Sequence, residues 1–167
     1  SVGILGFFPP PYVRLQMSKK EWGNAVWYLL HTLSHKLLPE HSTHASHVQP
    51  LLIRIATHLP CPDCSAHATR MLMEMQSKPI RGRADLVEFW REAHNRVNYR
   101  THKPMFSLRE CVDKYEQADT RRVVENFRAV MGRIRTGGRG LGDGWRRDRV
   151  LGALGKYLAT HAYMYSR

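Results

Sequence analysis

Apolar residues recur at helical spacing along most of this chain. In "SKKEWGNAVWYLLHTLSHKLL" (residues 18–38), Trp22, Val26, Leu29, Leu30 and Leu33 fall on one helix face. Ser18 with Glu21 three positions on has capping-box spacing and predicts where that helix starts. "EHSTHASH" (40–47) is a polar connector. "HVQPLLIRIATHL" (47–59) predicts a second helix, with Leu51, Ile55 and Leu59 at steps of four and Pro50 in the first turn. Pro60 disfavours its continuation. A third helix is predicted from about Pro62 to Gln76, with Ala66, Met71 and Met75 among its buried positions. After the loop "SKPIRGR", "ADLVEFWREAHNRVNYRTH" (84–102) places Leu86, Phe89, Trp90, Ala93 and Val97 on one side of a fourth. "SLRECVDKYEQ" opens a short fifth, with Ser107 as N-cap. Nothing alternates at period two for long, so the predicted fold is all-α: a helical bundle with a four-helix core plus a short fifth helix.

The two ends read differently. "SVGILGFFPPPYVRLQ" is too short and proline-rich to span a membrane, and it lacks the basic region and cleavage site of a signal peptide. It predicts a flexible arm or a packing strap over residues 1–17. "TRRVVENFRAVMGRIR" has a basic amphipathic pattern, "TGGRGLGDG" reads as a glycine-rich hinge, and "WRRDRVLGALGKYLATHAYMY" as one more helix. The expected organisation is therefore an arm (1–17), a bundle domain (18–116) and a basic helical extension (117–167).

Charge sharpens this picture only partly. The 167 residues carry a net charge of +12, and residues 115–167 hold 11 Lys and Arg against 5 Asp and Glu, half of the excess. Such a surface attracts anions, including nucleic acid, acidic proteins and phosphate-bearing cofactors. A merely solvated basic surface explains the charge equally well. At 43% hydrophobic residues the chain can bury a core, which excludes wholesale disorder.

Cysteine is more informative. Three cysteines cannot form a complete disulfide framework, so any disulfide here points to chemistry rather than scaffolding. "LPCPDC" (59–64) places Cys61 at or beside the start of the third helix, with Pro62 at its first position. Orphan backbone N–H groups and the positive end of the helix dipole favour a thiolate there, the setting of a reactive Cys-x-x-Cys pair. A zinc site built on Cys61, Cys64 and His67 is the competing reading, with a fourth ligand from another histidine. It would make a basic module that binds nucleic acid. Two ordinary buried thiols are the third reading. On the fourth helix, "HNRVN" puts His94, Val97 and Asn98 on one face with Asn95 adjacent, a surface suited to a flat, heteroatom-rich ring. Trp27 and His31 are i, i+4 neighbours on the first helix. Either group alone also suits an ordinary helix rim.

Taken in order, "WGNAVWYLLHTL" (22–33), "LPCPDC" (59–64), "HNRVN" (94–98), "KPMF" (103–106) and "VDKY" (112–115) resemble the Erv/ALR FAD-linked sulfhydryl oxidases, particularly forms encoded by large DNA viruses. Each motif alone is weak; five in order at compatible spacing make a specific match over residues 18–116. The resemblance implies a bundle that holds FAD, with Cys61 meeting the substrate and Cys64 beside the flavin. By position, Gly23, Asn24, Trp27 and His31 would line the cofactor from the first helix. His94, Asn95, Val97 and Asn98 would do so from the fourth, Lys103 toward the phosphates, and Lys114 with Tyr115 at the fifth. No metal is implied.

The implied activity forms disulfides in protein or small-thiol substrates and reduces dioxygen to hydrogen peroxide. The implied partners are dithiol proteins or a small thiol relay protein, since no separate shuttle cysteine pair is present. A homodimer and a viral enzyme acting in host cytoplasm or the virion are also implied. Three departures stand out. Asn24 occupies a position that is commonly Arg. Arg91 and Leu108 stand where many cellular members bracket the fourth helix with a disulfide. Cys111 has no counterpart and is expected to be a free thiol rather than a second redox site.

Overall fold

The computed structural model describes residues 18–134 and 141–167. The expected arm (1–17) and part of the expected hinge (136–140) lie outside them. Seven α-helices occur among the described residues: α1 (Lys19–His35), α2 (Ala45–Thr57), α3 (Pro62–Met75), α4 (Arg83–Arg100), α5 (Leu108–Tyr115), α6 (Thr120–Arg133) and α7 (Leu141–His161). Apart from a single Leu37–Tyr165 bridge they form no β pairing. The fold is all-α.

Local chemistry sets several boundaries as the sequence predicts. Ser18 and Glu21 cap each other's backbone at α1, and Ser107 and Glu110 do the same at α5. Cys61 is the N-cap of α3, with Pro62 just inside. The start of α4 is capped from a distance instead. The Arg83 N–H donates to Ser42 Oγ at 2.9 Å, and a Cβ on Gly82 would lie 2.9 Å from that same oxygen. Glycine is the residue that lets the two segments approach.

Four expectations are corrected. Helix α2 begins at Ala45, continuing from a 3-10 turn over Pro39–His44, so Pro50 is an exposed sixth residue rather than part of the first turn. Its buried face is Val48, Leu52, Ile55 and Ala56, while Leu51 and Leu59 are half-buried. On α3, Ala66 is exposed; Ala68, Met71, Leu72 and Met75 face the core. The stretch Leu141–Gly144, expected in the hinge, is already helical.

Helix α1 lies at the centre, packed by α6, α4, α5 and α2. Leu29, Leu30 and Leu33 are at most 1% exposed, and Trp90 of α4 is sealed in with its indole N–H donating to Gln49 Oε1 at 2.9 Å. The basic extension shares this core. Val124, Phe127 and Met131 of α6 and Val150 and Leu154 of α7 belong to the same apolar cluster, while Arg121, Arg122, Arg128 and Arg133 face outward. Burying Phe127 completely stabilises the fold by roughly 2–3 kcal/mol. Backbone bonds Leu38 N–H to Met164 C=O and Ser166 N–H to Lys36 C=O, both 2.8 Å, fasten the C-terminal segment beside the end of α1.

Candidate redox site and the ring cluster beside the bundle axis

Proline on both sides of Cys61 shapes the corner between α2 and α3. Helix α2 has already ended at Thr57 before Pro60, Pro62 starts α3, and Ser65 Oγ fixes the turn by accepting from Leu59 N–H at 2.8 Å and donating to Leu59 C=O at 3.1 Å. Cys61 and Cys64 are disulfide-bonded, with Cα atoms 5.1 Å apart. The Cys64 N–H donates to Cys61 Sγ at 3.2 Å. A thiolate released at Cys61 would therefore meet an oriented donor and the helix dipole. Both cysteines are half-buried and pack against the main core, as do Trp27 and Val97. Among the described residues no group of three or more His, Cys, Asp or Glu side chains could hold a metal ion. Cys111 is buried and free, and burial pushes its thiol above the ordinary range.

Helices α1, α4 and α5 bring a second set of residues together. Trp27 stacks on His94 with ring centres 3.9 Å apart, and His31 stacks on Tyr115 at 4.3 Å. His31 Nε2 and His94 Nδ1 share a hydrogen bond of 2.9 Å that joins the two stacks. The bond requires one ring nitrogen to donate and the other to accept, which neutral imidazoles can satisfy. Burial favours that state. It holds His31 well below 6.5 and His94 at about 4, the nearby cations adding to the effect. Lys114 Nζ lies 5.0 Å from the Tyr28 ring centre and 5.5 Å from that of Tyr115, placing a positive charge at the rim.

Asn95 has a structural partner. Its side-chain amide donates to Phe106 C=O and accepts from Phe106 N–H, both at 2.8 Å, and Arg91 Nη1 donates to the same carbonyl at 3.1 Å. Arg91 thus ties α4 to the segment before α5 at the place where the resemblance implies a disulfide in cellular members. Asn98 is buried, and its Nδ2 has no hydrogen-bond partner among the described residues. His31 Nδ1 is in the same condition. Just past the end of α4, His102 adopts a left-handed backbone, φ 56°, which lets Lys103 N–H bond back to Asn98 C=O at 2.8 Å. The Lys103 side chain is exposed but close enough to help keep His94 neutral.

The ring cluster thus unites Trp27, His31, His94, Lys114 and Tyr115, with Asn95 joined to it through Phe106, whose ring centre is 5.3 Å from that of His94. Gly23 is half-buried and a Cβ there would meet nothing within 4 Å; Asn24 is exposed. Phe106 and Arg91 are the participants that the sequence reading left without a role; "KPMF" carried Phe106, but its backbone, not its ring, makes the hydrogen bonds.

Residues 24–119 match the Erv1 / Alr family, more than half of the chain. The chain belongs to the Erv1/Alr family. It is 29% identical over 103 residues to a protein of Invertebrate iridescent virus 3 named as an FAD-linked sulfhydryl oxidase, spanning 60% of this chain and 70% of that one. It is 26% identical over 107 residues to the FAD-linked sulfhydryl oxidase ERV1 of Oryza sativa subsp. japonica, spanning 62% of this chain and 53% of that one. No solved structure matches the chain at comparable significance. The Erv1/Alr match takes in the disulfide and every member of the ring cluster, and it ends before α6.

Proposed function

We propose that this protein oxidises dithiols to disulfides through the Cys61–Cys64 pair, with FAD held on the ring cluster of α1, α4 and α5 and dioxygen as the final acceptor. Family membership and both relatives make it an FAD-linked sulfhydryl oxidase. The observation that carries the assignment to these residues is the disulfide at the start of α3, inside the matched region.

The residues present suit a flavin. Trp27 and His94 offer flat apolar faces, while Asn98 Nδ2 and His31 Nδ1 are buried polar atoms awaiting partners. Such atoms cost about 1–3 kcal/mol each unless something pairs with them. Lys103 and Lys114 supply positive charge for a diphosphate. Gly23, Asn24, Asn95, Val97 and Tyr115 complete the proposed binding set. When bound, the flavin takes two electrons from the enzyme dithiol and passes them to dioxygen, giving hydrogen peroxide.

The thiol chemistry falls to the chain itself. A substrate thiolate attacks Cys61 Sγ, forming a mixed disulfide while the Cys61–Cys64 bond breaks and Cys64 leaves as thiolate. A second substrate thiol attacks the substrate sulfur of that mixed disulfide. Cys61 then leaves as thiolate toward the Cys64 N–H that already points at its sulfur. The substrate is oxidised by two electrons and the enzyme pair is reduced by two. Neutral His31 and His94 keep positive charge out of the interior at this step.

Homodimerisation, a small thiol relay protein, and action in host cytoplasm or the virion belong to the same proposal. A viral relative supports the last, and no described helix is long and apolar enough to cross a membrane. Cys64→Ser tests the core of the reading: oxidation of a small dithiol should fall by at least about a thousandfold while flavin absorbance stays with the protein. A colourless wild-type protein, or undiminished turnover in the variant, would overturn it.

A further inference from the structure

The C-terminal segment meets the bundle beside four histidines. His41 and His44 come from the 3-10 turn, His47 from the first turn of α2 and His161 from the last turn of α7. His44 is the hub. Its ring stacks on His47 at 5.2 Å and on His161 at 4.9 Å, and its centre lies 5.9 Å from that of Tyr157. Tyr163 meets His41 edge to face at 5.3 Å. The His44–His161, His44–Tyr157 and His41–Tyr163 contacts cross from the bundle to the extension, so the seam is closed by rings that can take up protons.

Nothing in the seam balances such protons. The charged groups acting on His44 are His161 from α7, His47 from α2 and His41 from the turn, and no carboxylate among the described residues joins them. Burial, and then those three imidazoles, hold His44 below the ordinary histidine range. A proton on its buried Nε2 would find no acceptor among the described residues. Protons on neighbouring rings would set like charges about 5 Å apart. The closed seam thus excludes protons that an open one binds. Its hold is complete above about pH 6.5 and weakens as pH falls. The contacts it secures are few: the Leu37–Tyr165 bridge, the Leu38–Met164 and Ser166–Lys36 backbone bonds, and the Thr120 hydroxyl donating to Ser166 C=O at 2.7 Å.

We propose that the four histidines form an acid-sensitive latch, which holds residues 162–167 against the end of α1 at neutral pH and releases them in mildly acidic surroundings. Release uncovers the Leu37 and Tyr165 side chains, both buried in the closed state. The latch acts whether or not the protein carries flavin.

Hydrogen exchange of the full chain with FAD bound tests it. Amide protection of residues 162–167, corrected for the intrinsic pH dependence of exchange, should fall about tenfold between roughly pH 7 and pH 5.5 in the wild type. His44→Phe with His161→Phe keeps flat rings at both positions but cannot take up the protons, and its loss should stay below about twofold. His161→Gln removes one partner of the cross-seam pair and should by itself reduce the loss to about threefold. The single variant decides the matter if the double variant does not fold. Equal protection at the two pH values in the wild type would overturn the latch. So would a full tenfold loss in either variant.

Discussion

Two clusters of histidine and tyrosine occur among the described residues, and they solve different problems. One joins Trp27, His31, His94 and Tyr115 among α1, α4 and α5. The other stacks His44 on His47 and His161, and His161 on Tyr157, where the C-terminal helix meets the 3-10 turn. In the second, most polar atoms find partners within the chain. Tyr157 and Tyr165 hydroxyls are 2.5 Å apart, and His161 Nδ1 donates to Tyr157 C=O at 2.9 Å. His44 Nε2 is buried there and has no partner among the described residues. The first cluster leaves His31 Nδ1 and neighbouring Asn98 Nδ2 unpaired, is rimmed by lysines, and lies within the region the family defines. Ring stacking alone does not mark a binding site. Unpaired buried atoms beside positive charge, within the family-matched region, distinguish the first cluster from the latch at the chain's end.

Substitutions can break this distinction. His94→Ala removes both the Trp27 stack and the His31 bond, and should weaken flavin affinity by about a hundredfold or more, read by flavin absorbance retained on dialysis. The same exchange at His161 should leave flavin in place and cost only about 1 kcal/mol, a melting shift of about 2–4 °C. Equal flavin loss in both variants would erase the contrast.

Acid provides the next largest effect. Burial holds His31 well below 6.5 and His35 and His94 at about 4, so the unfolded chain binds protons that the native one excludes. Their contribution to stability is full above about pH 6.5 and is lost as pH falls toward 4, each histidine adding up to roughly 1.4 kcal/mol per pH unit. Denaturant midpoints between pH 7 and 4.5 should fall steeply. In His94→Ala the slope should be shallower.

Asn98→Leu sharpens the argument from unpaired atoms. Removing an amide donor that lacks a partner among the described residues should leave the stability of the flavin-free protein within about 1 kcal/mol while reducing flavin affinity roughly tenfold. Lys114→Ala should have the smallest effect, a few-fold loss that shrinks as salt rises, because its charge sits at the exposed rim.

Much of this architecture is written locally. Ser18 with Glu21 and Ser107 with Glu110 announce their helices because a cap depends on residues only three apart. Proline on either side of Cys61 likewise fixes the redox corner from sequence neighbours. What escaped local reading depends on distant partners. The buried face of α2 includes Val48 and Leu52 rather than Leu51 and Leu59, since α3 and α4 decide which side is covered. Glycines suggested a hinge, yet Leu141–Gly144 is helical, at the head of a helix whose Val150 and Leu154 reach the core. The placing of α6 against α1 was equally invisible: an amphipathic pattern reveals that a face is covered, not by what. The ring cluster was legible only as separate helix faces, and the Asn95–Phe106 clasp that closes it joins residues 11 apart.

The central claim is that Cys61–Cys64 and the ring cluster form one electron path, and an anaerobic dithiol titration of the purified protein tests it most directly. Added dithiothreitol should bleach the visible flavin bands, and admitting air should restore them with release of hydrogen peroxide; in Cys64→Ser the bands should persist. A protein without flavin absorbance, or bands in the wild type that dithiol leaves unchanged, would contradict it.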